Sequence, residues 1–467
     1  MLSYTIMIIE VKTKAFLSDF LRSINKAMAT DCTLHKGCGK CRVRLLSGIW
    51  ESGGKTLSAP ADAVACITRL RGVTGTIEIP EKIPVSNQIL REWQTPSPLP
   101  FSEFPLIAVD MGTTTLAAVR IEKGRIVKSA STFNGQLPFG DNVIARIAAA
   151  ESRFSDLRRA LLCSIGALLE EVDFQSAYRI GVAGNTVMNC FLHGISPRSI
   201  GTYPFKAPQL IFPERNDLWG DLPVVTVPSL TGLIGGDITG ALFESPLEEG
   251  ELLLDLGTNC EMVFCSASGL CGTSAAAGPA FEGAGISCGS RAVEGAIDRY
   301  TPQGFRVIGD TRPRSLCGSG LVDFLAVEHA KGTLNRFGRF TSGAKRFDIA
   351  PGVSVTEADI AELLKAKAAV SAAISSLERC CGEKVRKLKL AGGFSQYLDL
   401  DSAREIGLLP PLPATVCGNL SLAGAARCAA APETLPLMGE TAKKIREIHL
   451  NDVPGFEEDF LAALLLL

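Results

Sequence analysis

Apolar positions along the chain change period from segment to segment. Tyr4–Val11 is an Ile-rich run with β-branched side chains and predicts a strand. From Ala15 to Ala29, Phe16, Phe20, Ile24 and Met28 recur four residues apart, which places them on one helical face. Arg42–Leu46 and Thr76–Ile79 predict short strands. A strand, a helix and further strands suggest a small β-grasp domain over residues 1–80. Over 81–104 the periodicity lapses. Pro84, Pro96, Pro98 and Pro100, with Pro105 just beyond, remove donors and fix φ, which predicts a partly stiff, extended linker.

Beyond the linker the pattern repeats itself. Leu106–Thr115 reads as a strand ending in Asp110-Met-Gly112-Thr113-Thr114, continued by a second strand, Leu116–Ile121, and a Lys-Gly turn into Ile126-Val127. Glu251–Asn259 does the same, ending in Asp255-Leu-Gly257-Thr258-Asn259. It continues into Glu261–Cys265 and a Ser-Gly turn. Two such hairpins imply two similarly built halves, 105–245 and 246–467. Near the end, Thr356 is placed to cap a helix, with Asp359 at the capping-box offset and an Ala-rich amphipathic run to Leu377. Lys387–Leu390 predicts a strand that breaks into Ala391-Gly392-Gly393, followed by another helix.

Composition narrows the class. Of 467 residues, 46% are hydrophobic and 21% charged, and the net charge is −2. So apolar a chain excludes disorder as its main state, and the near-neutral charge disfavours a nucleic-acid partner. No apolar run approaches the roughly 20 residues of a membrane span. The apolar start stops at Glu10 and reads as a strand, not as a secretory leader. The apolar tail Phe460–Leu467 is expected to cover a partner surface or the protein's own core.

Fifteen cysteines without an export signal point to reduced thiols or metal ligands in the cytoplasm. Cys32, Cys38, Cys41 and Cys66 stand out by their spacing, C-x5-C-x2-C and a distant fourth thiol. Three of these ligands lie in one tight loop where Gly37 and Gly39 let the backbone fold closely around sulfides, the needs of a [2Fe–2S] cluster. Four unrelated cysteines and a zinc ribbon are the competing readings; the single C-x2-C knuckle counts against zinc. Cys260, Cys265, Cys271, Cys288 and Cys317 sit among apolar or Gly-rich residues, and packing is expected for them as for the adjacent Cys380-Cys381.

The Asp-x-Gly-Thr turns suit phosphate. Glycine permits close backbone approach, successive N–H groups and Thr hydroxyls donate to phosphate oxygens, and a strand-end Asp can hold Mg²⁺ through water. Tight hairpins with satisfied hydroxyls are the alternative reading. No P-loop lysine motif and no G-x-G-x-x-G after a strand are present.

Together the two hairpins and Ala391-Gly392-Gly393-Phe394 resemble the ATP-binding core shared by acetate and sugar kinases, heat-shock chaperones and actin. Within that superfamily the chain is similar to the reductive activators of corrinoid proteins. Gly181-Val-Ala-Gly184-Asn185-Thr186, Ala277–Gly283, Leu316–Gly320 and Gly418–Gly424 support this. The resemblance implies an α/β protein: a ferredoxin-like domain followed by a two-lobed actin-like (duplicated RNase H-like) ATPase domain. It makes Cys32, Cys38, Cys41 and Cys66 the iron ligands. Asp110, Gly112, Thr113 and Thr114 become the first phosphate loop, and Asp255, Gly257, Thr258 and Asn259 the second. Asp110 and Asp255 are the candidate catalytic residues, with metal-holding the safer role. Gly392 and Gly393 would pack against adenosine, and Gly184 and Asn185 would lie in a segment joining the lobes.

Some features depart from the family. Thr33-Leu34-His35-Lys36 stands where its cluster loop is usually Gly-rich, with His35 read as a solvated loop residue. One strand precedes the first helix where a full β-grasp has a hairpin. The middle domain of the longer activators is expected to be absent, because the linker runs almost directly into Asp110.

The task implied is the return of an oxidised Co(II) corrinoid to Co(I), ready for methyl transfer, with a corrinoid protein of a methyltransferase system and a low-potential electron donor as partners. A homodimer is left open. Plant-type [2Fe–2S] centres lie near −400 mV, and each further 100 mV uphill costs roughly 2.3 kcal/mol per electron. ATP with Mg²⁺ would supply it. The alternatives are an ATP-driven activator of another low-potential enzyme, whose class carries [4Fe–4S], a small-molecule kinase with an accessory redox domain, and a non-enzymatic ATP-switched binding module.

Overall fold

The computed structural model describes residues 6–23, 42–80, 98 and 102–467. It divides into two compact units, Met1–Pro84 and Val85–Leu467.

In the first unit, β1 (Ile6–Val11) leads to α1 (Leu17–Ser23), then β2 (Arg42–Ser47), β3 (Ile49–Ser52), β4 (Lys55–Ser58), β5 (Ala61–Val64), β6 (Thr68–Leu70) and β7 (Gly75–Pro80). The main sheet has the order β1-β7-β2-β5, with antiparallel neighbours, and β4-β3-β6 form a second small sheet. Leu17 and Leu21 of α1 are buried against Val11, Val43, Leu45, Trp50 and Ile77. The fully buried stripe is therefore offset by one from the expected Phe16 and Phe20, which are only partly buried. Residues 16, 17, 20 and 21 share one broad face, and the smaller leucines take its centre. Ile24 and Met28 lie outside the described residues.

The second unit contains two sheets of one design. In the first, β8 (Leu106–Met111), β9 (Thr115–Glu122) and β10 (Arg125–Phe133) form an antiparallel meander. After α2 (Val143–Glu171), β11 (Arg179–Gly184) returns parallel to β8, and after α3 (Thr186–His193), β12 (Val224–Thr226) joins beside β11. The order is β10-β9-β8-β11-β12. Helix α4 (Gly236–Glu244) follows. In the second sheet, β13 (Glu251–Leu256), β14 (Cys260–Ser266) and β15 (Gly269–Ala275) repeat the meander. Short strands β16 (Ala296–Thr301), β17 (Gly304–Val307) and β18 (Ser315–Leu316), then α5 (Gly318–Ala330), β19 (Arg346–Ala350), β20 (Val353–Thr356) and α6 (Glu357–Cys381) intervene. Next, β21 (Lys387–Ala391) lies parallel to β13 and, past α7 (Leu400–Glu405), β22 (Ala414–Gly418) lies parallel to β21. After α8 (Leu420–Ala430) and α9 (Leu435–Ala442), β23 (Ile445–Glu447) pairs with the far edge, and α10 (Phe456–Ala463) closes the chain. In both sheets the fourth strand sits beside the first, so the repeat seen in the sequence is a repeat of topology.

Thr356 caps α6 as its spacing predicts. Its hydroxyl accepts from Asp359 N–H, and the Asp359 carboxylate accepts from Thr356 N–H at 2.9 Å. The helix runs past Leu377 to Cys381 and ends at Gly382, whose φ of +68° suits glycine. The apolar tail covers the protein's own core. Leu466 joins the cluster of α6 and the second sheet, and buried Lys367 donates to the Leu465 carbonyl at 2.6 Å. Cys260, Cys271 and Cys317 are buried, and Cys265, Cys288, Cys380 and Cys381 half-buried. Among the described residues no helix is long and apolar enough to cross a membrane.

Two helices exchange places between the lobes. Ile238, Ala241 and Leu242 of α4, which ends the first half, pack on Leu253, Val263 and Ala391 of the second sheet. Leu422, Ala425 and Cys428 of α8, from the second half, pack on Ala108, Val119 and Ala183 of the first sheet. Where α4 and α8 cross, a Cβ added to Gly424 would lie 2.4 Å from the Gly240 Cα. Gly424→Ala is therefore expected to force the helices apart and cost about 1–3 kcal/mol, measurable as a lowered denaturant midpoint at unchanged slope.

Candidate functional site

The two Gly-Thr turns lie at corresponding strand ends in the two lobes and meet across a cleft of about 250 Å³. At Gly112 a Cβ would stand 2.5 Å from the Thr115 carbonyl oxygen, so this tight turn demands glycine. The Thr114 and Thr258 hydroxyls touch at 2.7 Å, buried. The Thr113 hydroxyl accepts from the Asn185 amide at 2.8 Å, while the Asn185 side-chain oxygen caps α3 through Met188 N–H at 3.0 Å. Thr258 also donates to the Glu282 carboxylate at 3.0 Å.

Carboxyl groups gather beneath these loops. Both oxygens of Asp110 are held by α8's first turn, Oδ2 accepting from Asn419 at 2.9 Å and Oδ1 from Ser421 at 2.8 Å. Burial pushes its pKa up, and these two bonds oppose the rise. Asp255 has no such partner among the described residues. Burial first, then the charges of Asp237 and Asp110, push it up to about 8. Asp237, in the first turn of α4, accepts from Ile238 N–H at 2.8 Å and is raised by burial to about 7. Burial, with Asp237 and Asp255 nearby, also raises Glu261. A cation entering this site would reverse the balance by favouring the ionised forms. Among the described residues no three such groups converge closely enough to hold a metal unaided.

Gly392, at φ +86°, lets the chain pass over Asp255; a Cβ there would be 2.4 Å from its Oδ1. Gly393 lines the cleft beside Phe394, whose ring stacks on Phe281 at 5.4 Å.

Of the residues singled out from the sequence, Asp110, Gly112, Thr113, Thr114, Asn185, Asp255, Gly257, Thr258, Asn259, Gly392 and Gly393 line this one cleft. Gly184 and Asn185, which the family resemblance placed in a segment joining the lobes, do not form such a connector. They make the β11–α3 junction within the first lobe, where a Cβ on Gly184 would be 2.7 Å from the Met111 carbonyl oxygen. The close approach of parallel strands, rather than a hinge, explains that glycine. Cys66 is buried in the turn Ala65–Ile67 beside α1. Cys32, Cys38 and Cys41 lie outside the described residues, as does His35; a set of four thiols has the soft donor chemistry that iron–sulfur centres take.

Sequence reasoning missed Asp237, Glu261, Glu282, Asn419 and Ser421. Glu282, Asn419 and Ser421 stand inside stretches that carried the family resemblance but received no role. Asp237 follows Gly235-Gly236 at a helix start, a signal like that of Gly392-Gly393.

A family model for a 2Fe-2S iron–sulfur cluster binding domain matches residues 5–71. One for the RACo middle region matches 106–250, and one for the C-terminal domain of RACo, the ASKHA domain, matches 249–467. The chain belongs to the RACo family. In this family the first lobe is the middle region, so the expectation that a middle domain is absent is corrected. The linker runs straight into that domain, which itself carries Asp110. A solved structure, the reductive activator for corrinoid, iron–sulfur protein, superposes with a TM-score of 0.73 at 24% identity, covering 97% of this chain and 96% of its own. The corrinoid activation enzyme RamQ of Eubacterium limosum is 28% identical over 412 residues, 76% of this chain and 69% of the relative. A Methanosarcina barkeri protein, the [Co(II) methylated amine-specific corrinoid protein] reductase, is 26% identical over 399 residues, 74% of this chain and 73% of its own.

Proposed function

We propose that this protein is an ATP-dependent reductive activator, delivering low-potential electrons to a Co(II) corrinoid protein and so restoring Co(I) for methyl transfer. The observation that carries the reading is the joining, in one chain, of an iron–sulfur domain to a cleft where threonine loops of two lobes face each other. On this reading residues 1–80 are the redox domain, 81–104 the linker, and 105–245 and 246–467 the ATPase lobes. Cys32, Cys38, Cys41 and Cys66 would hold a [2Fe–2S] cluster, which would supply one-electron transfer.

The lobes' part is positioning and electrostatics. Entering phosphates would part the Thr114–Thr258 contact and take both hydroxyls as donors. Asp255 would ionise as Mg²⁺ arrives, while Asp110 stays oriented by Asn419 and Ser421. Gly392 and Gly393 would leave room for the adenosine. ATP can drive an uphill electron only as far as it binds the two states of the lobes unequally. The partners are a corrinoid protein and a low-potential donor, with the cytoplasm as the site of action.

The test is anaerobic purification with metal analysis, then mixing with Co(II) corrinoid protein and a titanium(III) donor. Expected are about two irons and two sulfides per chain and a Co(I) absorption band that grows only with ATP. Zinc in place of iron, or an equal rate without ATP, would overturn the reading.

A further inference from the structure

The exchanged helices α4 and α8 connect the cleft to a distant point of the chain. Each reaches the carboxyl cluster at its first turn. Asp237 belongs to α4, and Asn419 and Ser421 at the start of α8 grip Asp110. The helices cross at Gly240 and Gly424. About 5 Å beyond the crossing, roughly one turn of helix on, Glu244 of α4 and Arg427 of α8 form a buried two-pronged ion pair. Arg427 Nε donates to Oε1 at 2.6 Å and Nη2 to Oε2 at 2.7 Å, with the Glu244 side chain wholly buried. A third donor of the same guanidinium, Nη1, reaches the Pro98 carbonyl oxygen at 3.0 Å. Pro98 belongs to the Pro-rich stretch that runs from the iron–sulfur unit to the lobes.

Desolvating two charges makes such a pair a poor device for stability alone, and its best-attested use is to fix register. Here it fixes the register of two helices that start in the cleft. Only arginine's planar fork can bind both carboxylate oxygens and still offer a further donor to a carbonyl. At the crossing the two helices meet backbone against backbone at Gly240 and Gly424, and Arg427 holds their far ends and Pro98 together.

We propose that Arg427 is a positioning residue that ties the linker to the interlobe helices, so that nucleotide occupancy of the cleft is transmitted to the chain leading to the redox domain. The proposal rests on the reading of the cleft as an ATP site. Phosphates and Mg²⁺ act on Asp110 and Asp237, these move the first turns of α8 and α4, and Arg427 carries the displacement to Pro98.

The experiment is amide hydrogen exchange of the full-length protein with and without ATP and Mg²⁺, following peptides over 108–118 and 95–105, beside the rate of Co(II) reduction. In the natural protein ATP should protect the first peptide and alter exchange in the second. Arg427→Lys keeps the charge facing Glu244 but cannot make all three contacts. It should keep protection over 108–118 and nucleotide affinity, lose the response over 95–105, and lower ATP-stimulated reduction about 10-fold while ATP-independent reduction stays unchanged. If the lysine variant does not fold, the double substitution Arg427→Met with Glu244→Met removes both buried charges together and serves in its place. A linker response that persists in the variant, or is missing from the natural protein although ATP protects 108–118, would overturn the proposal. Absence of ATP protection over 108–118 would instead overturn the underlying reading of the cleft, and the proposal with it.

Discussion

Cys41→Ser is expected to yield a protein without visible charge-transfer absorption and without reductive activation, yet with ATP binding unchanged. The loss should exceed about 100-fold, because on the proposed function the cluster relays the electron and a serine oxygen is a hard ligand poorly matched to iron–sulfur chemistry. Binding of ATP should survive because Met1–Pro84 and Val85–Leu467 are separate compact units. Their apolar clusters are also distinct, one around Leu45 and Trp50, the others around the two large sheets. An anaerobic spectrum, a Co(I) assay and calorimetry with ATP test the three parts. Activation that continues without the cluster would remove the electron-relay role.

Asp255→Asn should do the reverse, leaving the spectrum intact and lowering ATP turnover by about 100-fold or more. Asp255 faces the cleft with its pKa raised to about 8 by burial and by the neighbouring carboxylates. A carboxyl raised to about 8 is mostly protonated at pH 7, and on the proposed function an incoming Mg²⁺ would have to displace that proton. Affinity for Mg–ATP should therefore rise with pH up to about 8 in the natural protein, and much less in the variant. The stability effect has the opposite sign. The folded protein keeps this proton up to about pH 8, whereas the unfolded chain loses it near pH 4. Stability from this group is thus fully present below about pH 4 and is lost as pH rises to about 8. The asparagine cannot ionise, so the nucleotide-free variant should melt at a higher temperature than the natural protein at pH 8, with the difference shrinking toward pH 5. Equal pH slopes in both proteins would show that Asp255 does not carry the proton.

Short-range rules made much of this readable. Thr356 and Asp359 are three residues apart, and a capping box needs nothing further away. Asp110-Met-Gly112-Thr113 and Asp255-Leu-Gly257-Thr258 each determine their own hairpin, since a turn is set by the residues within it. Their repetition exposed the duplicated topology. Cues that rest on a single face were less accurate, as with α1, where Leu17 and Leu21 rather than Phe16 and Phe20 took the centre. The glycine at 184 was legible as significant but not as a strand contact, because its reason is the Met111 backbone, more than 70 residues away in sequence.

The sequence by itself determined the iron–sulfur domain, the duplicated hairpins and the class of chemistry these support, all properties of neighbouring residues or of their repetition. Only the tertiary structure decided that α4 and α8 change lobes, that Asp110 is held by Asn419 and Ser421, and that Asp237 and Glu261 join the carboxyl cluster. A carboxyl's charge depends on the water it loses and the charges it meets, and both are set by segments that come together through packing across hundreds of residues, where local sequence has no say.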